Sequence, residues 1–112
     1  MDKKQLIETL EKRYEILINA RADYYEAHKA VVDLRTVVKK ETAKLYANGK
    51  VEGKNQKERD AFVVQKVSEW TDHLEIVEEE SALAQLALEI AQDNISCIRE
   101  TIRIFELVSV EL

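Results

Sequence analysis

Apolar residues recur at every seventh position along most of this chain. In the first half one stripe reads Leu10, Leu17, Tyr24, Val31, Val38 and Leu45. Leu6, Ile7 and Tyr14 accompany it at one end, and Ala20, Ala27 and Leu34 in the middle. In the second half the d-like positions are Val63, Trp70, Val77, Ala84, Ala91, Ile98, Phe105 and Leu112. The a-like positions there are Val67, Leu74, Ser81, Leu88, Ile95, Ile102 and Ser109. Spacing of this kind, sustained over so many heptads, predicts long helices packed as in a coiled coil rather than ordinary surface helices.

The pattern is interrupted once. The stretch Asn48-Gly49-Lys50-Val51-Glu52-Gly53-Lys54-Asn55 holds both glycines of the chain, and there is no proline. Gly49 suits the left-handed residue that ends a helix. Asn55 reads as an N-cap, with Glu58 three residues on to return a hydrogen bond in a capping box. The expectation is one domain over residues 1–112, with a helix at about 2–47, a tip at 48–55 and a helix at about 56–110. The fold class predicted is all-α: an antiparallel two-helix coiled-coil hairpin. Each helix of such a hairpin has one partner and a wet flank, so dimerisation into a four-helix bundle is expected.

A short tip also predicts a register. With Leu45 near residues 58–60, Val31 falls beside Leu74, Leu17 beside Leu88 and Leu10 beside Ile95. Ala20 and Ala27 then face the alanine-rich stretch 81–87, where the helices can approach closely. The end of the second helix projects past the start of the first. Exposed apolar area costs about 25 cal/mol per Å², so a self-association surface is expected there, at Ile98, Ile102, Phe105, Val108 and Leu112.

Charge divides the chain. Lys and Arg against Asp and Glu run 10 to 8 over residues 1–47, 4 to 2 over 48–59 and 3 to 12 over 60–112. This favours pairing of the two helices with each other over pairing of two second helices in register. It also makes the tip basic, with Lys50, Lys54, Lys57 and Arg59 as candidate partner-binding residues. Contact with a protein surface is the first reading of that tip and nucleic acid the alternative. The net charge of −5 and the interleaved Glu41, Glu52, Glu58 and Asp60 weigh against phosphate binding.

No motif brings catalysis, and the chain reads as a non-enzyme without cofactor or metal. His28 and His73 fall within a turn of each other in the predicted register, but neither helix carries a Glu-x-x-His motif. Glu78-Glu79-Glu80 reads as a solvated face pairing with Arg21 or Lys29. Gly49 and Gly53 lack the lysine and hydroxyl of a nucleotide cradle. Cys97, the single cysteine, lies outside the seam and fits a reducing compartment. The N-terminus has no apolar signal region, and no apolar run approaches the ~20 residues of a membrane span. The location expected is the cytoplasm, with no membrane partner.

The run Leu45-Tyr46-Ala47-Asn48-Gly49-Lys50-Val51-Glu52-Gly53-Lys54-Asn55-Gln56-Lys57-Glu58-Arg59 resembles small, largely uncharacterised helical-hairpin proteins encoded by bacteriophages and prophages. In these a G-K-N-x-x-E-R segment opens a second long helix. The resemblance covers about a fifth of the chain and is carried by turn and cap residues. It implies an accessory protein of the bacterial host cytoplasm, an inhibitor or adaptor acting on host defence or DNA metabolism, and it brings no catalytic residues. The small secreted hairpins of type VII secretion share the length and topology. Their turn carries Trp-x-Gly, which Asn48-Gly49-Lys50 does not match.

Overall fold

The computed structural model describes residues 2–111, with side chains as far as Val108. Three helices are present among these residues: α1 (Lys3–Ala47), α2 (Gln56–Lys66) and α3 (Ser68–Glu111). The two long helices pack together as a hairpin requires. Their contacts group into two units, one of Met1–Tyr25 with Ala82–Leu112 and one of Glu26–Ser81.

α1 opens on a reciprocal cap. Gln5 N donates to Asp2 Oδ1 at 2.8 Å, and Asp2 N donates to Gln5 Oε1 at 2.9 Å. Two of the amides left without helical partners at an N-terminus are thereby satisfied. The helix ends as its sequence predicts. Gly49 has φ +65, its N–H reaches Tyr46 O at 3.2 Å, and Lys50 N reaches Leu45 O at 3.0 Å. This pair of bonds is a Schellman motif.

The second glycine serves a close approach. Gly53 has φ +147, and a Cβ there would stand 2.7 Å from the backbone nitrogen of Arg59. The chain therefore crosses the start of α2 with no room for a side chain. Asn55 caps α2 as expected, its Oδ1 accepting from Glu58 N at 2.9 Å. The return bond differs by one residue: Glu58 Oε2 accepts from Lys54 N at 2.7 Å rather than from Asn55. Glu58 also places a negative charge in the first turn, where the helix dipole favours it.

The predicted single helix over 56–110 is interrupted at Val67, which has φ −99 and ψ 6. Ser68 Oγ donates to Gln65 O at 2.8 Å and Thr71 Oγ1 to Ser68 O at 3.1 Å. Val67 O accepts from both Trp70 N and Thr71 N. Hydroxyls that bond back to the preceding turn compete with the helical ladder and bend it. The break also alters which side chains face inward. Trp70, expected in the seam, is 41% exposed, and Thr71 is half-buried instead.

In the unit of Glu26–Ser81, Val31, Val63, Val67 and Val77 are buried. Arg35 reaches Glu78 at 3.3 Å, where the predicted register set residue 35 near 70. Carried along that unit, the observed register puts Leu45 about level with Val67. By that register the level of Leu45 is reached at the break between α2 and α3, and α2 still contributes buried Val63 to this unit. Glu78 pairs with Arg35, not with the Arg21 or Lys29 expected. His73 lies about level with residue 40, so it is roughly 18 Å along the axis from His28 rather than within a turn.

In the other unit Leu17, Ala20, Ala91 and Ile95 form a buried cluster, with Leu10, Tyr14 and Leu88 packed against it. Arg99 stacks over the Tyr14 ring at 5.3 Å, and Lys3 meets Glu106 at 3.0 Å. Leu17 was expected near Leu88; with Ala91 and Ile95 now in its cluster, the helices lie past that register by about one to two turns. Most of the predicted overhang disappears, because the first turn of α1 lies alongside residue 106.

The two glycines make unequal demands. Gly53→Ala is expected to lower the unfolding free energy by about 2–3 kcal/mol, from a strained backbone plus the clash. Gly49→Ala, with open space around it, should cost only about 1–2 kcal/mol. Urea denaturation followed by circular dichroism at fixed protein concentration measures both, and equal costs would contradict the close approach.

Candidate functional site

The tip positions its basic residues through caps already described. Lys50, Lys54, Lys57 and Arg59 are all exposed. Arg59 Nε donates to Asn55 O at 3.3 Å, which folds the guanidinium back over the helix start. Other cations near the tip are engaged locally: Lys44 pairs with Glu41 at 3.2 Å, and Lys66 lies 5.4 Å from the Phe62 ring centroid. The tip therefore presents an exposed basic surface.

The C-terminal residues expected to self-associate fall into two groups. Ile98 and Ile102 are half-buried in the seam against the first turns of α1. Phe105 and Val108 are exposed, at 38% and 51%. Leu112 lies outside the described residues. The surface expected as one patch is thus partly internal, because Lys3 and the residues after it run beside this end of α3.

A second set of apolar positions escapes a reading made on the seam alone. On α3 every seventh residue from Ile76 is Leu83, Ile90, Cys97 and Ile104. Ile76, Leu83, Ile90 and Ile104 are 52–62% exposed, and Cys97 is exposed. On α1 the series is Ile18, Tyr25, Val32, Lys39 and Tyr46, and its four apolar members are also exposed. Each series sits about 130° around its helix from the seam, so the neighbouring helix cannot cover it. The signal was present in the sequence as a second period-seven series, masked by the stronger seam.

Two grooves flank the seam in the unit of Met1–Tyr25 and Ala82–Leu112. One, of about 190 Å³, is polar and basic, with Arg21, Gln92, Ser96 and Arg99 among its walls. The other, of about 480 Å³, is apolar, lined by Ile16, Ala20, Leu83, Ala84 and Ala87, with Asp23 at its rim. It opens on the side of α3 that carries the second series. The run 81–88 in its wall holds no charged residue.

Among the described residues no group of three or more His, Cys, Asp or Glu side chains gathers to hold an ion. No helix among them is long and apolar enough to cross a membrane. No family model matches the sequence, and comparison with curated proteins and with solved structures likewise finds no match.

The two groups of C-terminal residues should separate experimentally. Ile98→Asp and Ile102→Asp place charge in the seam and are expected to cost about 2 kcal/mol or more. Val108→Asp should change the unfolding free energy of the isolated chain by less than about 0.5 kcal/mol. Chemical denaturation at low protein concentration reads the difference.

Proposed function

We propose that this chain is a non-enzymatic helical interaction protein that self-associates as a dimer, forming a four-helix bundle, and binds a protein partner. The exposed second heptad series on each long helix carries this reading. Aliphatic and aromatic side chains repeated at coiled-coil spacing are the surface that another helix packs against. No polar group is buried among the described residues, so the interior is the seam of a scaffold. The tip's resemblance to phage-encoded hairpins adds the setting: an inhibitor or adaptor acting on host defence or DNA metabolism in a bacterial host cytoplasm.

The outer series of α1 is assigned to the protein partner. Tyr25 is 71% exposed and Ile18 61%, with Arg21 and Lys29 close by on the helix. An amphipathic helix with acidic flanks suits this face. Tagged wild-type chain expressed in the bacterial host should retain a stoichiometric protein that Ile18→Glu/Tyr25→Glu loses, read by affinity purification and mass spectrometry. Identical recoveries from both would remove this face from the reading.

The exposed cluster of Lys50, Lys54, Lys57 and Arg59 supports a second reading, nucleic-acid binding at the tip. That reading predicts a gel shift with single- or double-stranded DNA at low salt, lost when all four are replaced by Ala. It further predicts a salt dependence of roughly one unit of slope per phosphate contact. No shift, or equal shifts for both proteins, would eliminate it.

A further inference from the structure

We infer that the apolar groove beside Leu83 is the socket of the homodimer, and that its occupant is the last described turn of α3 from a second copy, with Leu107 and Val108 as the inserted side chains. This rests on the self-association proposed above and specifies its surface.

An isologous interface needs a surface that carries both the projection and the recess it enters. The unit of Met1–Tyr25 and Ala82–Leu112 has both. Its groove of about 480 Å³ lies between Ile16 and Leu83, with Ala84 and Ala87 in the wall. Along the same face of α3, Ile104 is 53% exposed, Leu107 55% and Val108 51%. Two antiparallel α3 helices related by a two-fold axis near Ser96 bring residues 107 and 108 of each copy level with residues 84 and 85 of the other. Each groove then receives one C-terminal turn, and Ile90 packs level with the partner's Ile102–Ile104 stretch.

Area and charge support this occupant. Ile16, Leu83, Leu86, Ile90, Ile104, Leu107 and Val108 are each about half exposed. Together they offer roughly 600–700 Å² per copy, close to the ~800 Å² per partner of a stable interface. The charge-free run 81–88 lets two acidic helices approach without an α3 carboxylate at the socket, leaving Asp23 of α1 as its one charged wall residue. In a parallel pairing Glu89, Asp93 and Glu100 would each meet their own copies. In the antiparallel pairing Glu89 instead falls level with Arg103 of the other copy, on the same flank, a complementary pair repeated twice, while Asp93 comes level with Glu100 of the other copy, whose carboxylate Arg103 already holds within its own helix. Cys97 lies on the packed face within about a turn of the axis, which supplies a chemical probe of the geometry.

Sedimentation equilibrium of the full chain tests the proposal. Wild type is expected to dimerise at micromolar concentration, and Leu83→Glu and Val108→Glu each to raise the dimer dissociation constant about 30-fold or more. Both positions are exposed, so circular dichroism of the monomers should retain helix. Mild oxidation should convert wild type, but not Cys97→Ser, to a covalent dimer. The charge swap should behave as a cycle, Glu89→Arg and Arg103→Glu each weakening the dimer and the double variant restoring it. A wild type that stays monomeric at about 100 µM would overturn both this interface and the self-association reading. A wild-type dimer indifferent to Leu83→Glu and Val108→Glu, with no cross-link at Cys97, would overturn this interface and leave self-association standing.

Discussion

A helix with a single neighbour can bury one stripe, and that geometric limit governs the rest of this molecule. The seam between α1 and α3 takes the stripe that includes Leu17, Ala20, Val31, Val77, Ala91 and Ile95, whose residual exposures run from 3% to 9%. None of the described side chains reaches below 2%. Such a core is thin because two cylinders in contact enclose a line rather than a volume. Small residues mitigate this by letting the backbones approach: Ala20 packs in one cluster with Ala91 and shares a groove wall with Ala84 and Ala87. The cost of close approach is that the alanines leave a recess at the side.

Much of the architecture could be read before any coordinates, because the features that specify it are local. Gly49 had to be left-handed for the Schellman bonds to form, and only glycine does so without strain. Asn55 and Glu58 announce a helix start by type and spacing. The heptad seam is correct nearly everywhere, from Leu6 through Ile102. These signals concern a few residues each and involve no long-range choice.

Register is a different kind of quantity. It depends on how much chain the turn consumes, and Gly53 is the residue that alters the count. It lets the tip lie against the start of α2, the capped helix Gln56–Lys66 that precedes the break. The break that follows has no glycine or proline to mark it. It arises from Ser68 and Thr71 bonding back to carbonyls of the previous turn, chemistry that an unbroken helix also tolerates on its surface. The sequence pattern alone therefore cannot choose between a continuous helix and a bent one. The displacement of the pairing in the unit of Glu26–Ser81, and with it the separation of His28 from His73, accompanies that break. The second heptad series was equally visible but ranked below the seam, since a period-seven search returns the deepest stripe first.

The placement of charge distinguishes the outer surfaces of the two long helices. α3 is strongly acidic, yet its charges thin out along 81–88, beside the apolar groove. Random solvation of a surface helix gives no reason for a charge-free run to coincide with a recess, exposed Leu83 and Leu86, and a heptad series. The proposed association of two acidic helices would supply one. In the proposed antiparallel pairing Glu89 and Arg103 would stand at the margin of the contact, with Arg103 also holding Glu100 within its own helix. The outer series of α1 has another character: Tyr25 is flanked by Arg21 and Lys29, and the series itself contains Lys39. Basic neighbours repel a second copy of the same face and attract an acidic one, which is the argument for proposing this face as the one for a different protein. On the proposed reading each long helix carries an outer surface of its own, and the sign of its flanking charge decides which partner that surface takes.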